Sequence, residues 1–258
     1  MSNDVSRGTD SGSTATPPLP LLPEAVRGVF ASDRIEPLEQ YAQMLATDGV
    51  VRGLIGPREV PRLWDRHILN SGVLTAELAE GISLCDIGTG AGLPGMVVAI
   101  ARPDLQVTLV EPLLRRTTFL NEVVERLGLT NVEVVRGRAD LLHGERSFDV
   151  VTSRAVAPLE RLLEWSMPLV APEGELLALK GSSIEEEIET ARPVLEKFTC
   201  AEPEVIVLGE GISESPTYAV KVSWSDPAAL PWHLIRKGAT GGTGSKKKKR
   251  KGGKKRPG

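Results

Sequence analysis

The clearest chemistry in the chain lies in one run, Asp86-Ile87-Gly88-Thr89-Gly90-Ala91-Gly92-Leu93-Pro94-Gly95. Glycines at this density permit a tight turn and let a ligand approach bare backbone. A helix starting just after them offers N–H groups with no intrahelical partner. Glu111 lies 21 residues after Gly90. At that spacing a carboxylate at the end of the next strand accepts hydrogen bonds from both ribose hydroxyls of a nucleoside cofactor.

The segment Gly90–Gly95 also satisfies GxGxxG, the fingerprint of nicotinamide dinucleotides. Two features favour S-adenosyl-L-methionine instead. Asp86 stands inside the strand before the turn, where dinucleotide folds place an apolar residue; an acid there braces the loop or reaches a methionine ammonium. A methyl donor also carries no pyrophosphate, so the loop must accept a zwitterion and a sulfonium. A nicotinamide-dependent oxidoreductase and a small-molecule methyltransferase stand as alternatives at this point, as does an RNA-binding assembly factor with a relic pocket.

The elements around these residues alternate. Short apolar runs at Ser83–Ile87, Val107–Val110, Val132–Val135, Phe148–Thr152 and Glu175–Leu179 read as strands. Helical patterns lie between them: 96–101, a face of Phe119, Leu120, Val123, Val124 and Leu127 closed by Gly128 as C-cap, 158–170, and 184–198 with a break or kink at Pro193. This predicts an α/β fold with a parallel sheet wound on both faces, binding its ligand at the C-terminal strand ends. The last runs, Glu204–Leu208 and Tyr218–Val222, lie close enough to pair as an antiparallel hairpin. Upstream, Asp33 and Glu36 have capping-box spacing before a stripe of Ile35, Leu38, Tyr41, Ala42 and Leu45. Residues 57–78 read as further helix, with Leu63, Trp64, His67 and Ile68 on one face.

The chain divides into five segments: a disordered extension (1–22), a helical cap (23–80), the cofactor-binding domain (81–225), a linker (226–245) and a basic tail (246–258). The chain has 258 residues and a net charge of −3. Nine Lys or Arg lie between Lys246 and Arg256; removing them from 31 leaves 22 against 34 acids, so the rest carries −12. An acidic body is unusual for a protein that grips nucleic acid. The two cysteines, Cys85 and Cys200, form no metal or redox motif. No apolar leader and no run of membrane-spanning length is visible, so a cytoplasmic protein without metal is expected.

The glycine loop resembles that of the small-subunit ribosomal RNA methyltransferase G family, also called glucose-inhibited division protein B. Further blocks carry the resemblance in the family's order: Leu63-Trp64-Asp65-Arg66-His67-Ile68-Leu69-Asn70-Ser71, Glu111-Pro112 with Arg115-Arg116 and Phe119-Leu120, Ser153-Arg154-Ala155-Val156-Ala157-Pro158-Leu159, and Leu179-Lys180-Gly181. It covers about residues 24–225. The resemblance implies a Rossmann-like class I S-adenosylmethionine methyltransferase sheet, parallel with an antiparallel closing strand, under an N-terminal helical cap. It implies methyl transfer to guanine N7 in the 530 loop of 16S rRNA, with 16S rRNA or the 30S subunit as partner and a monomeric enzyme.

By the same match Gly88, Leu93, Ala139, Asp140 and Arg154 line the cofactor site beside Asp86 and Gly90, Glu111 holds the ribose, and Asp140 or nearby backbone meets the adenine. Many relatives have Glu where this chain has Asp140. Guanine N7 has no proton to lose, so no general base is expected. Arg154 is the positioning residue, on the cofactor carboxylate, guanine O6 or a phosphate, unless it serves a structural ion pair. His67 reads as a packed or hydrogen-bonded residue that also helps the cap meet RNA. Arg115 and Arg116 are phosphate contacts or ordinary solvated charges, Lys180 at the end of the fifth strand is a candidate RNA contact, and Lys246, Lys247 and Lys248 begin a tail suited to nonspecific RNA affinity, to solubility or to another acidic surface.

Overall fold

A computed structural model describes residues 17–212 and 216–235. The expectations for residues 1–16 and for the basic tail, with Lys246, Lys247 and Lys248, lie outside the described residues.

The helices are α1 (Glu24–Val29), α2 (Ser32–Met44), α3 (Asn70–Gly72), α4 (Gly95–Ala101), α5 (Leu114–Leu127), α6 (Leu159–Ser166), α7 (Ile184–Lys197) and α8 (Trp232–Ile235). The strands are β1 (Ser83–Ile87), β2 (Gln106–Glu111), β3 (Val132–Arg136), β4 (Phe148–Arg154), β5 (Val170–Lys180), β6 (Glu204–Leu208) and β7 (Thr217–Ser223). They form one sheet in the order β3-β2-β1-β4-β5-β7-β6. Within it β1 to β5 run parallel to one another. β7 runs antiparallel to both β5 and β6.

Both sheet faces are covered, and the strand period of two divides the apolar residues between them. Leu84, Leu109, Val150, Leu177 and Leu179 pack on one face with residues of α2, α4 and α5. Cys85, Val110, Val151, Leu176 and Ala178 pack on the other with α6 and α7. The cap shares the first cluster: Leu38, Tyr41, Ala42 and Leu45 of its second-helix stripe are buried there with Leu63, Trp64 and Ile68. Cap and sheet therefore have a continuous core.

Several local expectations are corrected. The Asp33–Glu36 capping box does not form, because α2 begins at Ser32 and leaves Asp33 inside its first turn, bonded to the Arg34 guanidinium. Residues 57–78 are not one α-helix: a 3-10 turn (Pro57–Arg62), a wide π-type turn (Leu63–Leu69), α3 and another 3-10 turn (Val73–Glu77) succeed one another. Pro61 has no N–H to give a regular helix. No break occurs at Pro193; Ile188, Ala191 and Leu195 on either side stay buried and α7 runs through. β5 starts earlier than expected, at Val170, beside a register shift opposite Phe148 and Val150. Gly174 is needed there, since a Cβ would stand 2.6 Å from the Asp149 carbonyl oxygen.

The outer boundaries also move. The disordered extension expected over residues 1–22 does not reach its expected end: Leu19 and Leu22 pack on the cap core, and Trp64 Nε1 donates to Pro20 O at 3.0 Å. Residues 226–235, expected as linker, bury Leu230 and Ile235 against the second cluster. In both places scattered apolar residues find a surface that a local reading of the sequence does not contain.

Candidate active site at the strand ends

At the end of β1 the chain folds over β2: the Gly88 and Thr89 N–H groups donate to Val110 O at 2.8 and 3.2 Å. Asp86, fully buried, braces the glycine turn from below. Its Oδ2 accepts from Thr89 Oγ1 at 2.6 Å and from the Gly95 N–H at 2.8 Å, while Oδ1 has no protein partner. Burial pushes its carboxyl up to about 7, against the two hydrogen bonds that favour the ionised form. Of the two roles open to Asp86, the geometry shows the brace. Gly95 is obligatory, because a Cβ there would lie 2.4 Å from Leu109 Cδ2 and 2.7 Å from Asp86 Cβ. Gly90 sits at φ +63° with only Gly88 O within 4 Å of a would-be Cβ, so its backbone face is open.

The cap closes the loop from above. Tyr41 of α2, fully buried, donates its hydroxyl to Ala91 O at 2.9 Å. The sequence pattern shows Tyr41 as part of an apolar stripe; the further signal is that a buried tyrosine hydroxyl must find an acceptor.

Glu111 ends β2 and is 1% exposed. Its Oε2 accepts from the Gly90 N–H at 3.1 Å and faces Arg116 Nη1 at 3.2 Å; its Oε1 accepts from the Leu113 N–H at 3.0 Å. Arg116 is thus a partner of Glu111, whereas Arg115 faces solvent. The Gly137 N–H donates to Glu111 O at 3.2 Å, which brings the Ala139–Leu141 turn alongside. Ala139 is buried, Asp140 is exposed, and Leu113, Leu114 and Leu141 remain exposed beside them.

On the other side of the glycine loop a cavity of about 980 Å³ opens between the cap and the ends of β4 and β5. Gly90, Leu93, His67, Arg154 and Lys180 all line it. Arg154 is the last residue of β4; its Nη2 lies 3.0 Å from His67 Nδ1 and its Nη1 donates to Arg66 O at 3.3 Å. Burial lowers the Arg154 pKa. Burial, then the Arg154 charge, also lowers that of His67, while Glu59 pulls it upward. His67 Nε2 meets Glu59 Oε2 at 2.9 Å. The next residue after Arg154, Ala155, holds φ +52°, a conformation disfavoured for an L side chain, at the point where β4 turns into the cavity rim. Lys180 is 7% exposed; its Nζ donates to Ala157 O at 2.8 Å and to Glu187 Oε2 at 2.7 Å, tying that rim to α7.

The fold therefore gathers Asp86, Gly88, Gly90, Leu93, Arg154, His67 and Lys180 around the loop and cavity, with Glu111, Ala139 and Asp140 on the loop's far side. Arg115 is set apart on the surface. Glu59 and Tyr41 join the site with no motif in the sequence to mark them.

Open backbone at Gly90, the nearby Glu111 carboxylate and the exposed leucines fit a nucleoside carrying a small zwitterion. The antiparallel β7 between β5 and β6 distinguishes this sheet from a dinucleotide-binding one. The fold and site are those of a class I S-adenosylmethionine-dependent methyltransferase. The family model described as rRNA small subunit methyltransferase G matches residues 34–213. Ribosomal RNA small subunit methyltransferase G of Nocardioides sp. is 57% identical over 242 residues, which span 94% of this chain and 93% of that protein. The Streptomyces avermitilis protein of the same name is 53% identical over 79% of this chain and 86% of its own length. The structure of M. jannaschii TYW2 in complex with AdoMet aligns at a TM-score of 0.49 and 18% identity, over 62% of this chain and 75% of that one. The chain belongs to the rRNA small subunit methyltransferase G family, which sets aside the nicotinamide reading. Among the described residues, no helix is long and apolar enough to cross a membrane.

Proposed function

We propose that this chain transfers the methyl group of S-adenosylmethionine to N7 of a guanine in the 530 loop of 16S rRNA, as free RNA or within the 30S subunit, and that it acts as a cytoplasmic monomer. The observation that carries this reading is the cavity joining Gly90 to Arg154 in a chain 57% identical to a small-subunit rRNA methyltransferase.

In this reading Glu111 accepts from ribose hydroxyls, and the exposed Leu113, Leu114 and Leu141 offer apolar surface to a purine beside Ala139 and Asp140. Asp86 holds the glycine loop from beneath, and Gly88, Gly90 and Leu93 shape its surface. When bound, S-adenosylmethionine supplies an electrophilic methyl group on a sulfonium.

The N7 lone pair of guanine carries no proton, so no base is needed to remove one. His67, the imidazole lining the cavity, has both ring nitrogens engaged, by Arg154 and by Glu59. Arg154 keeps N–H groups for guanine O6, a phosphate or the cofactor carboxylate. The remaining work of the chain is alignment and exclusion of water.

The test is methyl transfer from labelled S-adenosylmethionine to 30S subunits and to 16S RNA from cells lacking this gene. The product is mapped by strand cleavage specific for N7-methylguanine. One cleavage in the 530 loop supports the reading. No label in either RNA, with the cofactor bound, points to another methyl acceptor.

A further inference from the structure

Glu59, His67 and Arg154 form one hydrogen-bonded line along the cavity wall. A guanidinium has donors and no acceptor, so His67 Nδ1 must offer its lone pair to Arg154. The single proton of the neutral ring then sits on Nε2, where Glu59 accepts it. Arg66 O takes the other terminal nitrogen of Arg154. Two cap atoms therefore hold the two terminal nitrogens of Arg154, a residue that lines the cavity.

We propose that Glu59 and His67 are positioning residues for methyl transfer: Glu59 fixes the His67 tautomer, and His67 Nδ1 fixes the orientation in which Arg154 meets its ligand. This rests on the reading of Arg154 as a group that touches substrate or cofactor.

The arrangement gives the rate a pH dependence of definite sign. The charged groups facing the ring are Glu59 and Arg66 from the cap and Arg154 from β4. Above the ring's ordinary 6.5 it is neutral, and Nδ1 accepts. As pH falls through its lowered value, a second proton occupies Nδ1, the contact to Arg154 is lost and like charges face each other. The rate falls on the acid side. Glu59 raises the ring's value, so E59Q moves the acid limb to lower pH. Asp86 also titrates near neutrality, but it acts on Arg154 rather than on His67 and is common to every variant.

The experiment measures single-turnover methylation of 30S subunits by the full chain and its E59Q, H67A, H67N and R154A variants from about pH 5 to 8, with thermal melts as the check on folding. R154A reports on the underlying reading: an unchanged rate there removes Arg154 from the site and the proposal with it. With R154A impaired, H67A is expected to slow the reaction about tenfold or more. H67N, whose Oδ1 can stand in for Nδ1, is expected to recover most of that loss and to lose the His67 limb. An H67A rate within about twofold of the parent, or an acid limb unmoved in E59Q, overturns the positioning role while leaving Arg154 in place. Nitrogen NMR of the ¹⁵N-histidine-labelled parent gives a readout independent of the variants' rates. The signal missing from H67N is that of His67; it should report the Nε2–H tautomer, and an Nδ1–H tautomer overturns the proposal.

Discussion

The Gly90 N–H and the Glu111 carboxylate are joined by a hydrogen bond of 3.1 Å, which couples the turn after β1 to the end of β2. The residue proposed to hold the ribose thus also sets the shape of the loop beside it. Replacing Glu111 by Ala removes both functions at once. A charge-assisted hydrogen bond is worth about 1.5–3 kcal/mol, so affinity for S-adenosylhomocysteine is expected to fall about tenfold to a hundredfold. Calorimetric titration checks this, and an affinity equal to that of the parent would remove Glu111 from the cofactor site.

Asp86 leads to a prediction about stability and pH. Its folded pKa, about 7, lies above the ordinary 3.8. Between those values the unfolded chain has released a proton that the folded chain keeps. The stabilisation from this proton is fully present below the unfolded pKa and is lost as pH rises through about 7. Asp86→Asn cannot ionise. Without cofactor, its stability relative to the parent should improve by up to about 4 kcal/mol from about pH 4 to pH 8. Urea unfolding at several pH values measures it; a pH-independent difference means that Asp86 ionises in the fold as it does in the open chain.

Much of this arrangement is legible in the sequence because it is local. The strand Ser83–Ile87 has the predicted bounds, Gly128 is the left-handed C-cap of α5, and the last two strands pair as a hairpin. Glycine and acid spacing mark the loop and Glu111 because a βαβ unit fixes their distance along the chain. The hidden part depends on contacts remote in sequence. Arg154 meets His67 across 87 residues and Tyr41 meets Ala91 across 50, and no periodicity encodes either contact. Lys180 reads as an open RNA contact at a strand end, yet its partner Glu187 comes from the next helix. The cap's succession of short turns is equally unreadable, since the apolar stripe of residues 63–68 is compatible with more than one helical pitch.

Gly95 and Gly90 should separate folding from binding. Gly95→Ala drives a Cβ into Leu109 and Asp86 and is expected to destabilise the protein by about 1–3 kcal/mol or more. Gly90→Ala meets open space but must hold φ +63°, a strain of about 1–2 kcal/mol. Its larger effect should be on S-adenosylhomocysteine, through a methyl group on the open backbone face. Thermal melts and titrations on both variants test the contrast; equal losses of affinity at equal stability would contradict it.

Tyr41→Phe isolates the contribution of the cap to the loop. It deletes one buried hydrogen bond and leaves Ala91 O without that donor, at a cost of about 1–3 kcal/mol in stability. Cofactor affinity should fall with it, because the Ala91 carbonyl lies between Gly90 and Leu93. A destabilised variant that binds S-adenosylhomocysteine as tightly as the parent would show that the cap holds the fold without shaping the loop.

The charge division along the chain gives the last prediction. Outside residues 246–256 the chain carries a net −12, which repels RNA at long range, while that short stretch holds nine cations and no acid. Each phosphate contact contributes about 0.7–0.9 to the slope of log affinity against log salt. Deleting residues 241–258 should therefore weaken 16S RNA binding at low salt and flatten the slope by several units, while S-adenosylhomocysteine binding is unchanged. Filter binding over a salt series reads both quantities. A slope equal to that of the full chain would mean that the tail makes no phosphate contacts and that RNA is gripped by the body alone, through arginines such as Arg58, Arg62 and Arg115 on its surface.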